Sequence, residues 1–145
     1  MAVDGPSVSV RHASGKDAAA VADLASELAQ SFAFSRMRFD ASYTALLNAA
    51  DACLLLAVDG EIALGYLLGF EHLTFYANGP VATVEEILVR AEFRRRGIGR
   101  TLMREFERWS VSRDCGLVTL ATRRAVPFYV ALGYAESATY LRKAL

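Results

Sequence analysis

The sequence predicts an α/β or α+β fold around a mixed sheet, in one domain over residues 1–145, and three features support this. Patterns of strand and helix period alternate along the chain, with no linker and no internal repeat between them. Two apolar runs, "CLLLAV" (53–58) and "EIALGYLLGF" (61–70), flank Asp59-Gly60, a dipeptide suited to the positive backbone φ of a tight hairpin. A long amphipathic stretch begins directly at a Gly-x-Gly turn, Gly97-Ile98-Gly99.

Taken in order, "SVSVR" (7–11) alternates as a strand does. "SGKD" (14–17) has the form of a capping box, with Ser14 as N-cap and Asp17 three residues on. Val21, Leu24, Ala25 and Leu28 then share one face, predicting a helix over 15–31. The aromatic and arginine-bearing "SFAFSRMRFD" (31–40) interrupts that pattern, and Asp40 is placed to cap a shorter helix, "ASYTALLNAA" (41–50). After the hairpin, "EHLTFYANGP" (71–80) reads as a loop. "VATVEEILV" (81–89) is a β-branched strand interrupted by Glu85 and Glu86. Neighbouring side chains on a strand point to opposite faces, so one of these two carboxylates points into a partly enclosed region.

From Gly97 onward Ile98, Leu102, Phe106 and Trp109 form an apolar stripe opposite Arg100, Arg104, Glu107 and Arg108, which predicts a helix ending near Arg113. "LVTLAT" (117–122) is a buried strand, and "RRAVPFYVAL" (123–132) is a short helix closed by Gly133. "YAESATYLRKAL" is expected to return as a strand.

A chain of this length buries roughly two-thirds of the surface it exposes when unfolded, enough for its own core. The composition is 54% hydrophobic, and 16 Lys+Arg balance 16 Asp+Glu, which excludes disorder and a globally polyanion-seeking surface. Charge is nevertheless concentrated. Eight arginines lie between Arg90 and Arg113, against Glu92, Glu105 and Glu107. Cys53 and Cys115 have no CxxC spacing and read as buried thiols rather than a disulfide or zinc ligands. His12 and His72 are isolated, so no metal is expected. No run approaches the roughly 20 apolar residues of a membrane span, and "MAVDGPSVSV" lacks a basic region followed by an apolar one. The expectation is a cytoplasmic protein without a membrane partner.

A glycine turn that opens a helix is suited to phosphate. The first helical N–H groups are unpaired, the dipole is positive there, and the absence of Cβ lets a ligand approach the backbone. Flanking arginines add charge-assisted contacts. A P-loop would need lysine after the last glycine, where Arg100 and Thr101 stand. A dinucleotide fingerprint would need a third glycine or alanine, where Leu102 stands. Arg94-Arg95-Arg96-Gly97-Ile98-Gly99 instead satisfies Arg/Gln-x-x-Gly-x-Gly/Ala between a strand and a helix.

In that motif, and in "AVPFYVALGY" (125–134), which matches A-x-x-F-Y-x-x-x-G-F/Y, the chain resembles the GNAT superfamily of acyl-CoA-dependent N-acyltransferases. The order of elements resembles that family over nearly the whole chain. The resemblance implies a mostly antiparallel mixed sheet, splayed at its middle and flanked by about four helices. It implies acetyl-CoA as co-substrate, with no metal. Pantetheine would insert beside Leu88 and Val89, and a backbone N–H there would polarise the thioester carbonyl. The N–H groups of Arg95, Arg96, Gly97, Ile98, Gly99 and Arg100 would cradle the pyrophosphate, with Arg94 and Thr101 at the ends of the loop. Phe128 and Thr122 complete the cofactor set, although Thr122 stands where many relatives carry Asn for a pantetheine contact.

The reaction implied is direct attack of a neutral amine on the thioester, so neither cysteine is a nucleophile. Glu85 matches the base that several relatives use on this strand, with Glu86 as runner-up, and Tyr129 matches the usual proton donor to the departing thiolate. By the same resemblance the acceptor pocket draws on "SFAFSRMRF", "EHLTFYANGP" and "ESATYLRK". Those segments nominate Phe32, Arg36, Tyr76 and Tyr140 as substrate contacts. The acceptor is a small-molecule or peptide amine, and the neutral net charge argues against polyamine. Two alternatives stand beside this: a non-catalytic acyl-CoA-binding module of the same fold, and an arginine-rich nucleic-acid-binding domain. The second leaves "AVPFYVALGY" unexplained, so no nucleic-acid partner is expected. A homodimer through the sheet edge or C-terminal strand is left open.

Overall fold

The computed structural model describes residues 7–29 and 32–145. Its elements in chain order are β1 (Val8–His12), α1 (Ala18–Leu28), α2 (Arg36–Asn48), β2 (Ala52–Asp59), β3 (Ile62–Thr74), β4 (Gly79–Val89), α3 (Ile98–Ser112), β5 (Val118–Leu120) and α4 (Val126–Ala131). The strands form one sheet in the order β1-β2-β3-β4-β5, with every pairing antiparallel except β4 with β5. This is the mixed, mostly antiparallel α/β architecture expected, flanked by four α-helices.

Helices cover both faces of the sheet. On one face Val21 and Leu24 of α1 and Tyr43 of α2 cluster with Leu56, Tyr66 and Leu68 of the sheet. On the other face Ile98, Leu102, Met103 and Phe106 of α3 pack on Leu55, Leu67, Ala82 and Val84. Each fully buried side chain of this size contributes about 1.5–3 kcal/mol, so the two faces together supply the main driving force for folding. Gly69 is where α3 comes closest to the sheet. A Cβ there would lie 2.3 Å from the Phe106 ring, so that close approach requires glycine.

The capping box forms as a Gly15–Asp17 turn of 3₁₀ helix leading into α1. The Asp17 carboxylate accepts the Ser14 N–H at 2.8 Å and takes Arg11 bidentately at 2.7 and 2.9 Å. The Arg11 hydrogen bonds hold the Asp17 carboxyl far below its usual range. The helix predicted to run to 31 ends at Leu28, and residues 30–31 lie outside the described residues.

Several boundaries differ from the sequence prediction, each for a local reason. Ser35, not Asp40, caps α2, its hydroxyl accepting the Arg38 N–H at 3.3 Å. Asp40 falls inside the helix, where it pairs with Arg36 at 2.8 Å, and Phe39 stacks on Tyr43 at 5.4 Å to steady the added turn. The β2–β3 register pairs Asp59 with Ile62, so the two-residue loop is Gly60-Glu61 and the positive φ of 59° belongs to Gly60.

The expected loop at 71–80 is a second hairpin. β3 continues to Thr74, and the Thr74 hydroxyl closes the turn by donating to Gly79 O at 2.7 Å. β5 is only three residues long, and α4 begins at Val126, after Arg123 and Arg124. The final strand is absent. Residues 134–145 form neither helix nor ladder, because a strand needs a neighbour and no described residue lies in register with them. Of the two thiols, Cys53 is buried as expected, and burial pushes it up to about 12. Cys115 is only partly covered.

Candidate active site

The site begins with a one-residue irregularity in β4. The β3–β4 register runs Leu68↔Glu86 and then Gly69↔Val84, so Glu85 is an extra residue, a β-bulge. Val84 and Ile87, on either side of the two glutamates, both pack in the cluster under α3. Glu85 and Glu86 therefore share the opposite face, the one beneath α1 and α2. This corrects the expectation that they diverge, which holds only for an unbroken pleat. Glu85 is exposed, whereas Glu86 is half-buried and accepts a hydrogen bond from the Tyr66 hydroxyl at 2.8 Å. Tyr66 is 2% exposed, and burial raises its hydroxyl well above the ordinary tyrosine value, so it stays a donor.

The bulge also ends the pairing with β5. That ladder covers Ala82–Val84 against Val118–Leu120 and stops there, leaving the rest of β4 bound on the β3 side alone. Arg90 N–H donates to Leu64 O at 2.9 Å, which fixes the alternation: Arg90 and Leu88 direct their backbone groups toward β3, and Val89 and Ile87 direct theirs into the gap beside β5. The N–H that can meet a carbonyl in the gap is thus that of Val89 or Ile87. Leu88's amide belongs to the ladder. Val89 O already accepts from Arg94 Nε at 3.0 Å, which ties the loop to the mouth of the gap.

Between β4 and α3, Ala91–Phe93 makes a single 3₁₀ turn, and the chain then enters two left-handed residues, Arg95 (φ 64°) and Gly97 (φ 76°). Left-handed residues among right-handed ones turn successive N–H groups to a common side, forming an anion-binding concavity. The N–H of Thr101 is the first to bond within the helix, to Gly97 O at 3.0 Å, so those of Ile98, Gly99 and Arg100 precede the ladder. The Thr101 hydroxyl donates to the same oxygen at 2.9 Å. Arg94, Arg95, Arg96 and Arg100 are all exposed around the concavity.

Helix α4 closes this corner. The Phe128 ring lies over Gly99, where an added Cβ would sit 3.2 Å from Phe128 and 3.9 Å from Val89. Strand end, glycine turn and α4 therefore converge at one place. Tyr129 follows, edge-on to Phe128 at 4.9 Å and to Tyr134 at 6.0 Å. Burial raises the Tyr129 hydroxyl above its ordinary value. Thr122 Oγ1 accepts the Ala125 N–H at 3.1 Å, so its first task is to shape the entry to α4.

The four expected acceptor contacts are not brought together. Phe32 is exposed in the segment before α2, and Arg36 opens that helix, already paired with Asp40. Tyr76 sits exposed at the tip of the β3–β4 hairpin, ten residues of β4 and hence about 30 Å from Val89. The reason is the extension of both strands, which carries the expected loop to the far end of the sheet. Tyr140 is exposed in the unpaired C-terminal segment. Two residues on the Glu86 face were not anticipated. Tyr66 was hidden in an apolar run and is revealed only by cross-strand register. Arg90 shares the alternation of Glu86 and Leu88, and its Nε is buried without a partner among the described residues.

A family model described as the acetyltransferase (GNAT) family matches residues 19–134. Among curated protein sequences, none matches. Among solved structures, an aminoglycoside N-acetyltransferase in complex with CoA superposes with a TM-score of 0.88 at 20% identity, covering 100% of this chain and 99% of that one. The same enzyme with a bisubstrate analogue of CoA and acetylneamine gives 0.80 at 21%, covering 95% and 99%. Glucosamine-6-phosphate N-acetyltransferase from Arabidopsis thaliana gives 0.85 at 16%, covering 95% and 98%. Identities this low show a common fold. No helix among the described residues is long and apolar enough to cross a membrane.

Proposed function

Because the chain belongs to the GNAT family of acetyltransferases, we propose that it is an N-acetyltransferase that moves an acetyl group from acetyl-CoA to a primary amine of a small molecule or peptide. The observation that carries this reading is that the free edge of Val89 and the glycine turn meet at one corner: backbone donors left outside the ladders on each, with Phe128 packed over Gly99 beside Val89. The fit to acetyl-CoA is chemical. The concavity at Arg95–Arg100 suits a pyrophosphate, and the Val89 edge suits an amide-bearing arm that can pair as a strand does.

In this reading the Val89 or Ile87 N–H donates to the thioester oxygen as negative charge develops there, a contact of the kind worth about 2.7–4 kcal/mol. Glu86, held by Tyr66, receives the proton of the attacking amine on the α1–α2 face. Glu85, exposed at the bulge, is a way out for that proton to solvent. Tyr129, protonated and on the α3 face, returns a proton to the departing thiolate. Amine and sulfur thus meet different sides of the sheet, which keeps the base and the acid from quenching each other. No covalent enzyme intermediate is needed, because both substrates are held together. The acceptors named for the structural neighbours, an aminoglycoside derivative and a glucosamine phosphate, support a small polar amine. Acetyl-CoA is an intracellular metabolite, which supports a cytoplasmic setting.

The test is release of CoA thiol from acetyl-CoA across a panel of amino sugars, amino acids, short peptides and simple amines, comparing the parent with Glu86→Gln. Amine-dependent thiol release that Glu86→Gln slows by about 10²–10³-fold supports the reading. Binding of acetyl-CoA with no release for any amine would instead favour the non-catalytic acyl-CoA module.

A further inference from the structure

Among the described residues two arginines keep a buried Nε–H without an acceptor, Arg90 and Arg113. They differ in the rest of the guanidinium. Arg113 donates through Nη2 to Ala50 O at 2.6 Å and to the Glu71 carboxylate, and it lies 5.0 Å from the centre of the Trp109 ring, so its charge is answered within the fold. Arg90 belongs to none of the ion pairs among the described residues, which join Arg11, Arg36, Arg108 and Arg113 to carboxylates. The arginines around the glycine turn are no parallel either. Arg94, Arg95, Arg96 and Arg100 are exposed to water, whereas Arg90 is half-buried with Nε turned inward. A guanidinium cannot shed its charge, and a buried donor of this kind calls for an acceptor.

The position of Arg90 says where that acceptor would come from. Arg90 follows directly on β4, and its N–H, bonded to Leu64 O at 2.9 Å, extends the ladder by one residue. The pleat therefore continues, and Arg90 points to the same face as Leu88 and Glu86. Leu88 packs there in the cluster that includes Leu28, at the end of α1, and Phe39, in the first turn of α2. An amine seated against Glu86 thus has the rest of its molecule free to run along β4 toward Arg90. Four residues at about 3.3 Å each put the two α-carbons about 13 Å apart, and the two side chains shorten the span between their charges.

We propose that Arg90 is the specificity-determining residue for the acceptor, which is an amine carrying a carboxylate or a phosphate several bonds from its nitrogen. The inference rests on the N-acetyltransferase reading and narrows its substrate class. A guanidinium presents a planar fork of donors, and Nε–H with one Nη–H pairs with two oxygens of either anion at once. That contact answers the buried Nε–H and the charge together. Glu86 takes the amine end and Arg90 the anionic end, so the acceptor is held in one direction along the strand. An α-amino acid does not fit this arrangement, because its carboxylate stands on the carbon that bears the amine. A neutral amine leaves Arg90 without an acceptor.

Matched amines with and without the anion test this: O-phosphoethanolamine against ethanolamine, and 6-aminohexanoate against hexylamine, each with the parent, Arg90→Gln and Arg90→Lys. In thiol release the parent is expected to favour the anionic member of at least one pair by about 10–100-fold in kcat/KM, chiefly through KM. Arg90→Gln should lose most of that ratio, and Arg90→Lys, which keeps the charge without the fork, should lose less. The pair that shows the preference tells phosphate from carboxylate. Equal use of both members in both pairs, or a preference that survives Arg90→Gln, would overturn the proposal, and the thiol release observed would leave the enzymatic reading standing. If no amine releases thiol, it is the enzymatic reading that fails, and NMR of the parent decides this inference separately. The Arg90 Nε–H resonance is expected to shift with O-phosphoethanolamine or 6-aminohexanoate and to stay in place with their neutral matches. A resonance that none of the four compounds moves contradicts the assignment.

Discussion

The two halves of β4 are chemically alike and structurally opposed. Ala82–Val84 is held on both sides, by β3 and by β5, and its Thr83 hydroxyl bonds that of Thr119 at 2.9 Å across the parallel pair. Ile87–Val89 carries equally apolar side chains but is held by β3 alone. One inserted residue, Glu85, separates them. It moves Glu86 to the α1–α2 face and aims the free backbone edge of Val89 into the gap. The comparison teaches that a sheet can open a gap between two strands without losing its core: the bulge confines the break in pairing to the end of one strand.

Removing the charge that the bulge positions should give the largest effect. Glu86→Gln is expected to lower kcat by about 10²–10³-fold with acetyl-CoA affinity unchanged, and Glu85→Gln to change kcat little, as steady-state kinetics beside calorimetry would reveal. Equal losses in the two variants would mean that the bulge does not sort the carboxylates.

Tyr129→Phe comes next, with an expected fall of roughly 10–100-fold in kcat. Tyr129 must be protonated to act, and burial raises it, so activity should persist through the ordinary tyrosine range near pH 10 and decline only above it. In the variant that alkaline decline should vanish. A decline that survives in Tyr129→Phe assigns the limb to another group. Tyr66→Phe should be milder, about 10-fold in kcat at constant KM for acetyl-CoA, since it removes one hydrogen bond to a carboxylate and leaves the carboxylate in place.

How far the sequence revealed this division depends on the range of the interactions involved. The glycine turn, the α3 stripe and the A-x-x-F-Y segment were legible because local spacing determines them. Gly97 adopts the left-handed conformation that a turn there needs, and Ile98, Leu102 and Phe106 are buried as their period requires. The bulge was not legible. "VEEILV" looks the same whether Glu85 is pleated or inserted, and only the register with Leu68 and Gly69 decides. Tyr66 was missed for the same reason, and Tyr76 was misplaced because nothing local distinguishes a loop from a strand that continues to a tight turn at Asn78. The C-terminal strand was read from its pattern, but a pattern cannot supply the neighbour that a strand requires.

The paired half should respond in the opposite manner. Thr119→Val removes the hydroxyl bond to Thr83 and should cost about 1 kcal/mol in urea unfolding, with kcat unaffected. This is the smallest effect expected, and a loss of activity without a loss of stability would show that the two halves are not independent.

The central claim is that the free half of β4 and the glycine turn form one acyl-CoA channel, and titration calorimetry with acetyl-CoA on the parent and Gly97→Trp tests it most directly. A Cβ at Gly97 meets nothing within 4 Å, so the variant can retain the fold. The left-handed φ of 76° costs an L-residue about 1–2 kcal/mol, and the indole would cover the N–H groups beside it. Saturable binding by the parent that weakens by about 10-fold or more in the variant is the result predicted. A folded parent that binds neither acetyl-CoA nor CoA, or a variant that binds as the parent does, would contradict the assignment of the channel.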